Sequence, residues 1–424
     1  MGRKDIPKTE REKLKKKFKG MMRALYRQEG AMLDVEVLRE SEVLDFIDAH
    51  AAVLDSTFDK VKMSDGMRLS LQKSDWIFSG MKTFHELHEA FPSLLDEHGD
   101  RKPFDRFYND VRKVDETYNR NYLRAEYNFA TASAEMAAKW EQYERDGDRY
   151  YLQYRTVGDS HVREEHAALN GTTLPVSHPF WDTHYPPNGW NCRCLAVQVR
   201  KSSHEQTSEE ELSKRTKALA EQQAKSKGKS EMFRFNPGKQ RKVFPDYNPY
   251  TIKRCNDCDL AKGKFSMAFM PSNEACEGCA IIRNCFLNKE KSHIAKMRKH
   301  YEREILKLEK ANVEVLQKIE NGQNIKISFH KESTHIVDDV IRHRRGNVAT
   351  WDDLDNIESV IKEADYVGCS PYYKKSLLKY NVTHMLYFEA KVQNGSVLLN
   401  VAKRENTSKN GRKEIRYFIY SLSR

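Results

Sequence analysis

Three groups of residues in this chain are of types that do chemistry. From Asp159 to Cys194 the sequence DSHVREEHAALNGTTLPVSHPFWDTHYPPNGWNCRC gathers histidines, tryptophans and a Cys-Arg-Cys end into 36 residues. His166, Cys192 and Cys194, with His161 or His184 as a fourth partner, offer the nitrogen and sulfur donors that zinc accepts in tetrahedral geometry. They read equally as a structural hub, one hydrogen-bonded core histidine beside two buried thiols, and the sparse C-x-C spacing favours the hub. A Cys-His nucleophile is a poorer reading, because no third residue is placed to orient the base. The second group is Cys255-Asn-Asp-Cys258, seventeen residues, then Cys276-Glu-Gly-Cys279. Two C-x-x-C knuckles bracketing a loop poor in core residues predict a structural zinc that contributes its binding energy to folding. Cys285 is a spare thiol. The third group comprises His335 and His343 near the C-terminus, whose imidazoles titrate closest to neutral pH.

The elements that position these groups follow from pattern. At 424 residues the chain is long enough for several domains, and its formal charge of +11 favours an anionic partner, nucleic acid ahead of membrane. The surplus is uneven: residues 1–20 carry nine Lys/Arg against three acids, and 371–424 carry eleven against three. No run of about 18 apolar residues exists to span a membrane, and the N-terminus lacks the apolar region of a secretory signal. Cysteines in close pairs in such a chain point to metal ligation rather than disulfides.

Residues 1–20 read as a basic arm and 21–103 as a helical region. Phe107, Val111, Val114, Tyr118 and Tyr122 mark one face of a long helix. YYLQYRTV alternates as a strand. Residues 201–250 read as a linker with an Asn236-Pro237-Gly238 turn, 251–288 as the four-cysteine zinc segment, and 289–322 as a helical spacer with a heptad-like seam. From 325 to 424 come a strand, two helices, and three strands joined by Asn394-Gly395 and Asn410-Gly411, both hairpin signals. The fold class expected is multidomain α+β.

The order YNRNYLRAEYNFATASAEMAAKW, DSHVREEHAALNG, HPFW and PPNGWNCRC, within 104–200, resembles the head morphogenesis family of tailed phages typified by the Mu F minor head protein. That resemblance implies a minor capsid protein whose partners are portal, capsid and scaffold proteins. It would sit in the virion, in the head interior near the portal, after assembly in the host cytoplasm. The domain itself would be non-catalytic.

STHIVDDVIRHRRG, the two helices and the closing meander look like phage-encoded nucleases of the Barnase–EndoU–Colicin–RelE superfamily. The likeness implies metal-independent RNA cleavage, with host tRNA as the expected substrate and no cofactor. A base takes the 2′-hydroxyl proton, an acid protonates the leaving oxygen, and cations stabilise the phosphorane. His335, near a helix N-terminus behind Ser333 or Thr334 as cap, is the candidate base. His343 lies about 80° round the helix and about 12 Å along it, so the two do not easily reach one phosphate. Arg342, Lys403, Arg404 and Arg416 are candidate phosphate clamps, and Tyr417 or Ser421 candidate positioning groups. Alternation puts Arg416, Phe418 and Tyr420 on one strand face and Tyr417, Ile419 and Ser421 on the other, so not all of these line one cleft. The alternative is a non-catalytic module that binds DNA or a partner through its basic strands.

Overall fold

The computed structural model describes residues 6–30, 32–225, 231–246, 248–251, 272–320, 322–343, 349–372, 379–392, 395–407 and 410–423. Two compact units emerge, Met1–Met63 with Met67–Leu287, and Ser64–Gly66 with Asn288–Arg424. No described helix is long and apolar enough to cross a membrane.

The first unit opens with α1 (Lys8–Arg27), α2 (Ser41–Asp55), α3 (Asp65–Ala90) and α4 (Phe104–Asp115). A π-helical turn, Glu116–Tyr122, then leads into α5 (Leu123–Asp146). The expected basic arm differs from what forms: Leu14, Phe18, Met21 and Leu25 recur at helical spacing beneath the lysines and are fully buried, so α1 is a packed amphipathic helix. The stripe on α4 holds through Phe107, Val111 and Val114, but the π turn rotates the chain and leaves Tyr122 exposed. Buried beneath these helices, the Lys82 ammonium meets Glu126 Oε2 at 2.5 Å and the Tyr118 carbonyl at 2.9 Å, while Tyr250 donates to Glu126 Oε1.

After α5 the chain builds a small antiparallel sheet, β1 (Tyr151–Arg155), β2 (Thr173–Pro175) and β3 (Leu195–Val199), in the order β2-β1-β3. Short helices α6 (Glu164–Ala167) and α7 (Phe180–Thr183) lie in its connections, and α8 (Glu209–Lys225) follows. Trp140, Tyr143, Tyr154, Trp181, Tyr185, Cys192, Cys194 and Leu219 form one core cluster there. Asn236 accepts from the backbone N–H groups of Gly238 and Lys239 and so caps α9 (Pro237–Gln240), a short helix where a turn was expected. A Cβ on Gly238 would lie 2.1 Å from Trp140 Cβ, so only glycine lets this helix seat against α5.

α10 spans Ser272–Lys310. In its first half Cys279, Ile281, Ile282 and Phe286 join the core of the first unit. In the second unit it contributes Tyr301 and Ile305. The helical spacer expected to 322 stops early: Asn312 adopts a left-handed φ of 50°, and β4 (Glu314–Lys318) returns as a strand. Val315 and Ile319, which continue the heptad spacing, belong to that strand and its turn.

β4 pairs with β5 (Asn324–Ser328); then come α11 (His335–His343), α12 (Trp351–Asp355), α13 (Ile357–Lys362), and β6 (Asp365–Pro371), β7 (Val382–Val392), β8 (Gly395–Thr407) and β9 (Lys413–Ser423). The three-strand meander is thus the larger part of a six-stranded sheet of order β4-β5-β9-β8-β7-β6, antiparallel except for the parallel β5–β9 pair. Ile336, Val337, Val340 and Ile361 pack with Phe388, Leu399, Val401 and Ile419 as its main core. A second cluster joins Val382, Met385, Ala402 and Phe418 to four half-buried tyrosines, Tyr372, Tyr380, Tyr387 and Tyr420.

Candidate functional site

In the small sheet domain, α6 and the loop entering β3 bring His166, Cys192 and Cys194 together. The His166 Nδ1 atom lies 3.7 Å from each sulfur, and all three residues are buried. Among the described residues this is the only group of three or more His, Cys, Asp or Glu donors close enough to hold a metal ion, a possible His/Cys/Cys site. The hydrogen bond between the two sulfurs pushes the Cys192 thiol well down and the Cys194 thiol up.

The proposed fourth partners sit elsewhere. His184 stacks on Phe180 at 4.5 Å and bonds Thr183 through Nδ1, and burial lowers it to about 4. His161 is exposed on the Asp159 turn. Asp159 pairs in a fork with Arg193 (2.6 Å, 2.6 Å), not with Arg163 four residues on. Arg163 instead donates to the Trp190 carbonyl at 2.7 Å. A cavity of about 140 Å³ lies alongside, lined by Arg163, Glu165, His166, Asn188 and Trp190 among others.

Of the proposed four-cysteine zinc site, Cys255 and Cys258 lie outside the described residues. Cys276 and Cys279 are one turn apart in α10, not in a bent knuckle, and the buried Cys279 sulfur accepts from Arg283 Nε at 3.3 Å.

In the second unit the structure sets His335 in company the sequence did not disclose. The helix start is earlier than expected. His330 caps a 3-10 turn, Lys331–Thr334, that runs into α11; its Nδ1 accepts from the Glu332 backbone N–H. Ser333 serves that cap and donates to the Ile419 carbonyl. Glu332 faces His335 Nε2 at 3.3 Å through one carboxylate oxygen and accepts from Tyr380 at 2.8 Å through the other. Burial works against ionisation of Glu332, but the bonds from Tyr380 and His335 outweigh it and hold the carboxyl below its ordinary range. The His335 ring lies 5.0 Å from that of Tyr420, and the His330 ring 4.7 Å from Phe418. Burial lowers His330, with Glu309 opposing the shift and Arg404 adding to it.

The other sequence candidates scatter around this cluster. Arg404 stands opposite Arg416 across the β8–β9 pair, and Arg416 is ion-paired with Glu414. Lys403 stands opposite Tyr417 and pairs with Glu405 at 2.6 Å; Tyr417 packs on the main core, away from Phe418. A bulge breaks the expected alternation, so Ser421 stands opposite Asn400 and accepts from it. Arg342 is exposed with Asp339 at 3.6 Å. His343 ends α11, and its side chain lies outside the described residues. His330, Glu332, Tyr380 and Tyr420 were missed. The one local signal was His-Lys-Glu-Ser-Thr-His directly after a strand; Tyr380 is 45 residues downstream of His335.

Residues 102–197 match the family model described as Phage Mu protein F like protein. The chain is 46% identical over 69 residues to the Putative capsid assembly protein F of Escherichia phage Mu, 16% of each chain. It is 41% identical over 63 residues to the Mu-like prophage FluMu F protein of Haemophilus influenzae, 15% of each. The chain therefore aligns with about one sixth of the length of these curated relatives. No solved structure matches it.

Proposed function

With a Phage Mu F-like domain at residues 102–197 as premise, we propose that the chain is a minor head protein that acts in phage head morphogenesis and carries a ribonuclease in its C-terminal unit. The first part is supported by the matched blocks, which take in the His166–Cys194 hub. Its partners would be portal, capsid and scaffold proteins, and its place the head interior, with passage through the host cytoplasm. A zinc joint at Cys255, Cys258, Cys276 and Cys279 belongs to the same proposal.

The observation that supports the ribonuclease is the Tyr380–Glu332–His335 chain of hydrogen bonds. A base held by a carboxylate that is itself held by a third group is the arrangement that activates an oxygen nucleophile. With Nε2–H given to Glu332, His335 offers the Nδ1 lone pair to a ribose 2′-hydroxyl. His335 takes the proton, the 2′-oxygen bonds to phosphorus, the bond to the 5′-oxygen breaks, and a solvent proton completes the leaving hydroxyl. His330, whose Nδ1 is occupied as a cap acceptor, presents Nε2–H as a neutral donor, and Arg404 supplies positive charge to the phosphate.

Full-length protein incubated with total tRNA and a chelator should cleave it, and His335→Ala should abolish cleavage. Retention of tRNA without cleavage by the unaltered protein would favour the non-catalytic binding module, a reading that the tyrosine cluster beside Arg404 and Arg416 would also suit.

A further inference from the structure

We propose that His166, Cys192 and Cys194 bind one zinc ion as a three-ligand centre whose fourth position is taken by water. The distances carry this. Zinc with Zn–N of about 2.0 Å and Zn–S of about 2.3 Å at tetrahedral angles sets nitrogen and sulfur about 3.5 Å apart. His166 Nδ1 stands 3.7 Å from both sulfurs. Hydrogen bonding alone explains the grouping less well. One ring nitrogen carries at most one proton, so it donates well to one sulfur only, and thiols are weak donors.

The donor set fixes the ion class. Two thiolates and an imidazole suit a borderline-soft cation that accepts tetrahedral geometry. Binding releases the two thiol protons to solvent, with no change of oxidation state. A dication with two thiolates and a neutral imidazole has no net charge, and it therefore sits in this buried place without the penalty of an isolated ion.

The fourth position is left to water because no further His, Cys, Asp or Glu atom joins the group among the described residues. The nearby Tyr154 phenol donates to Asn188 Oδ1 at 2.9 Å and also faces the Cys194 sulfur. His166 follows β1 and precedes β2, while Cys192 and Cys194 lead into β3. The ion would thus tie the two connections of the three-stranded sheet to each other.

The test uses the full chain with Cys255→Ser and Cys258→Ser, which leaves the hub intact. Native mass spectrometry should find one zinc per chain. Zinc X-ray absorption should give two sulfurs and two nitrogen or oxygen neighbours. The melting temperature should climb with free zinc. Adding Cys192→Ser and Cys194→Ser should remove the ion. Two results would each overturn the site: a parent protein that melts cooperatively yet takes up no zinc, or a zinc that persists after Cys192 and Cys194 are replaced. Because the readout is metal content, a failure here is separate from any failure of the head-assembly or ribonuclease reading.

Discussion

Tyr380 donates its phenol proton to Glu332 at 2.8 Å, across 48 residues of sequence, and so fixes the carboxylate that His335 leans on. If His335 is a base, both groups tune it without touching substrate. Glu332→Gln should lower tRNA cleavage by about 10²-fold, and Tyr380→Phe by about tenfold, the worth of one hydrogen bond to a charged group. RNA binding measured by fluorescence anisotropy should stay near its original level. A cleavage rate unmoved by Glu332→Gln would sink the role of this chain of bonds.

The buried pair in the first unit offers a stability test. Lys82 and Glu126 are both withdrawn from water. Lys82→Met should cost about 3–5 kcal/mol, because it strands the carboxylate. Lys82→Met combined with Glu126→Leu should recover much of that, which urea titration of the two variants would resolve.

Glu86 gives the pH dependence. Burial raises its carboxyl to about 8 against the pull of nearby Lys82, and Asn119 donates to one of its oxygens at 2.9 Å. The folded state therefore holds a proton that the unfolded chain gives up above its ordinary carboxylate range. The stabilisation is complete below about pH 4.5 and falls away as pH rises toward 8. Glu86→Gln, neutral at every pH, should flatten this slope. Its stability relative to the parent should improve by about 3–4 kcal/mol between pH 5 and 8. Parallel slopes for the two proteins across that range would refute the assignment.

Gly238→Ala drives a methyl group into the space of the Trp140 side chain. We expect a loss of about 1–3 kcal/mol and a change in tryptophan fluorescence. Asn236→Ala, which removes the cap of the same helix and the bond to the Trp181 carbonyl at 3.0 Å, should cost about 1–2 kcal/mol.

What the sequence disclosed was what it states locally. The Mu F-like blocks are dense in Trp, Pro, His and Cys, so they announce themselves, and the β7–β9 meander is punctuated by Asn-Gly. Lysines concealed α1 by surrounding Leu14, Phe18 and Met21 with charge. β4 was hidden because Val315 falls in phase with the helix before it, and only the left-handed Asn312 interrupts the run. The His335 surroundings could not be read, because hydrogen bonds to Glu332 from residue 380 and ring contacts from residues 418 and 420 depend on sheet order. The bulge at Tyr420 likewise depends on the strand beside it, not on its own sequence.

The parallel pairing of β5 with β9 sets an order in time. On the ribosome the β4–β5 hairpin and the β6–β7–β8 meander emerge as two separate pieces, each with an open edge that residues 413–423 fill. His330 and His335 follow the first piece, while Tyr380 and Arg404 belong to the second. Until the last strand is made, the sheet does not hold those halves in register. The groups around His335, and any chemistry they do, are therefore brought together only once residues 413–423 have been made.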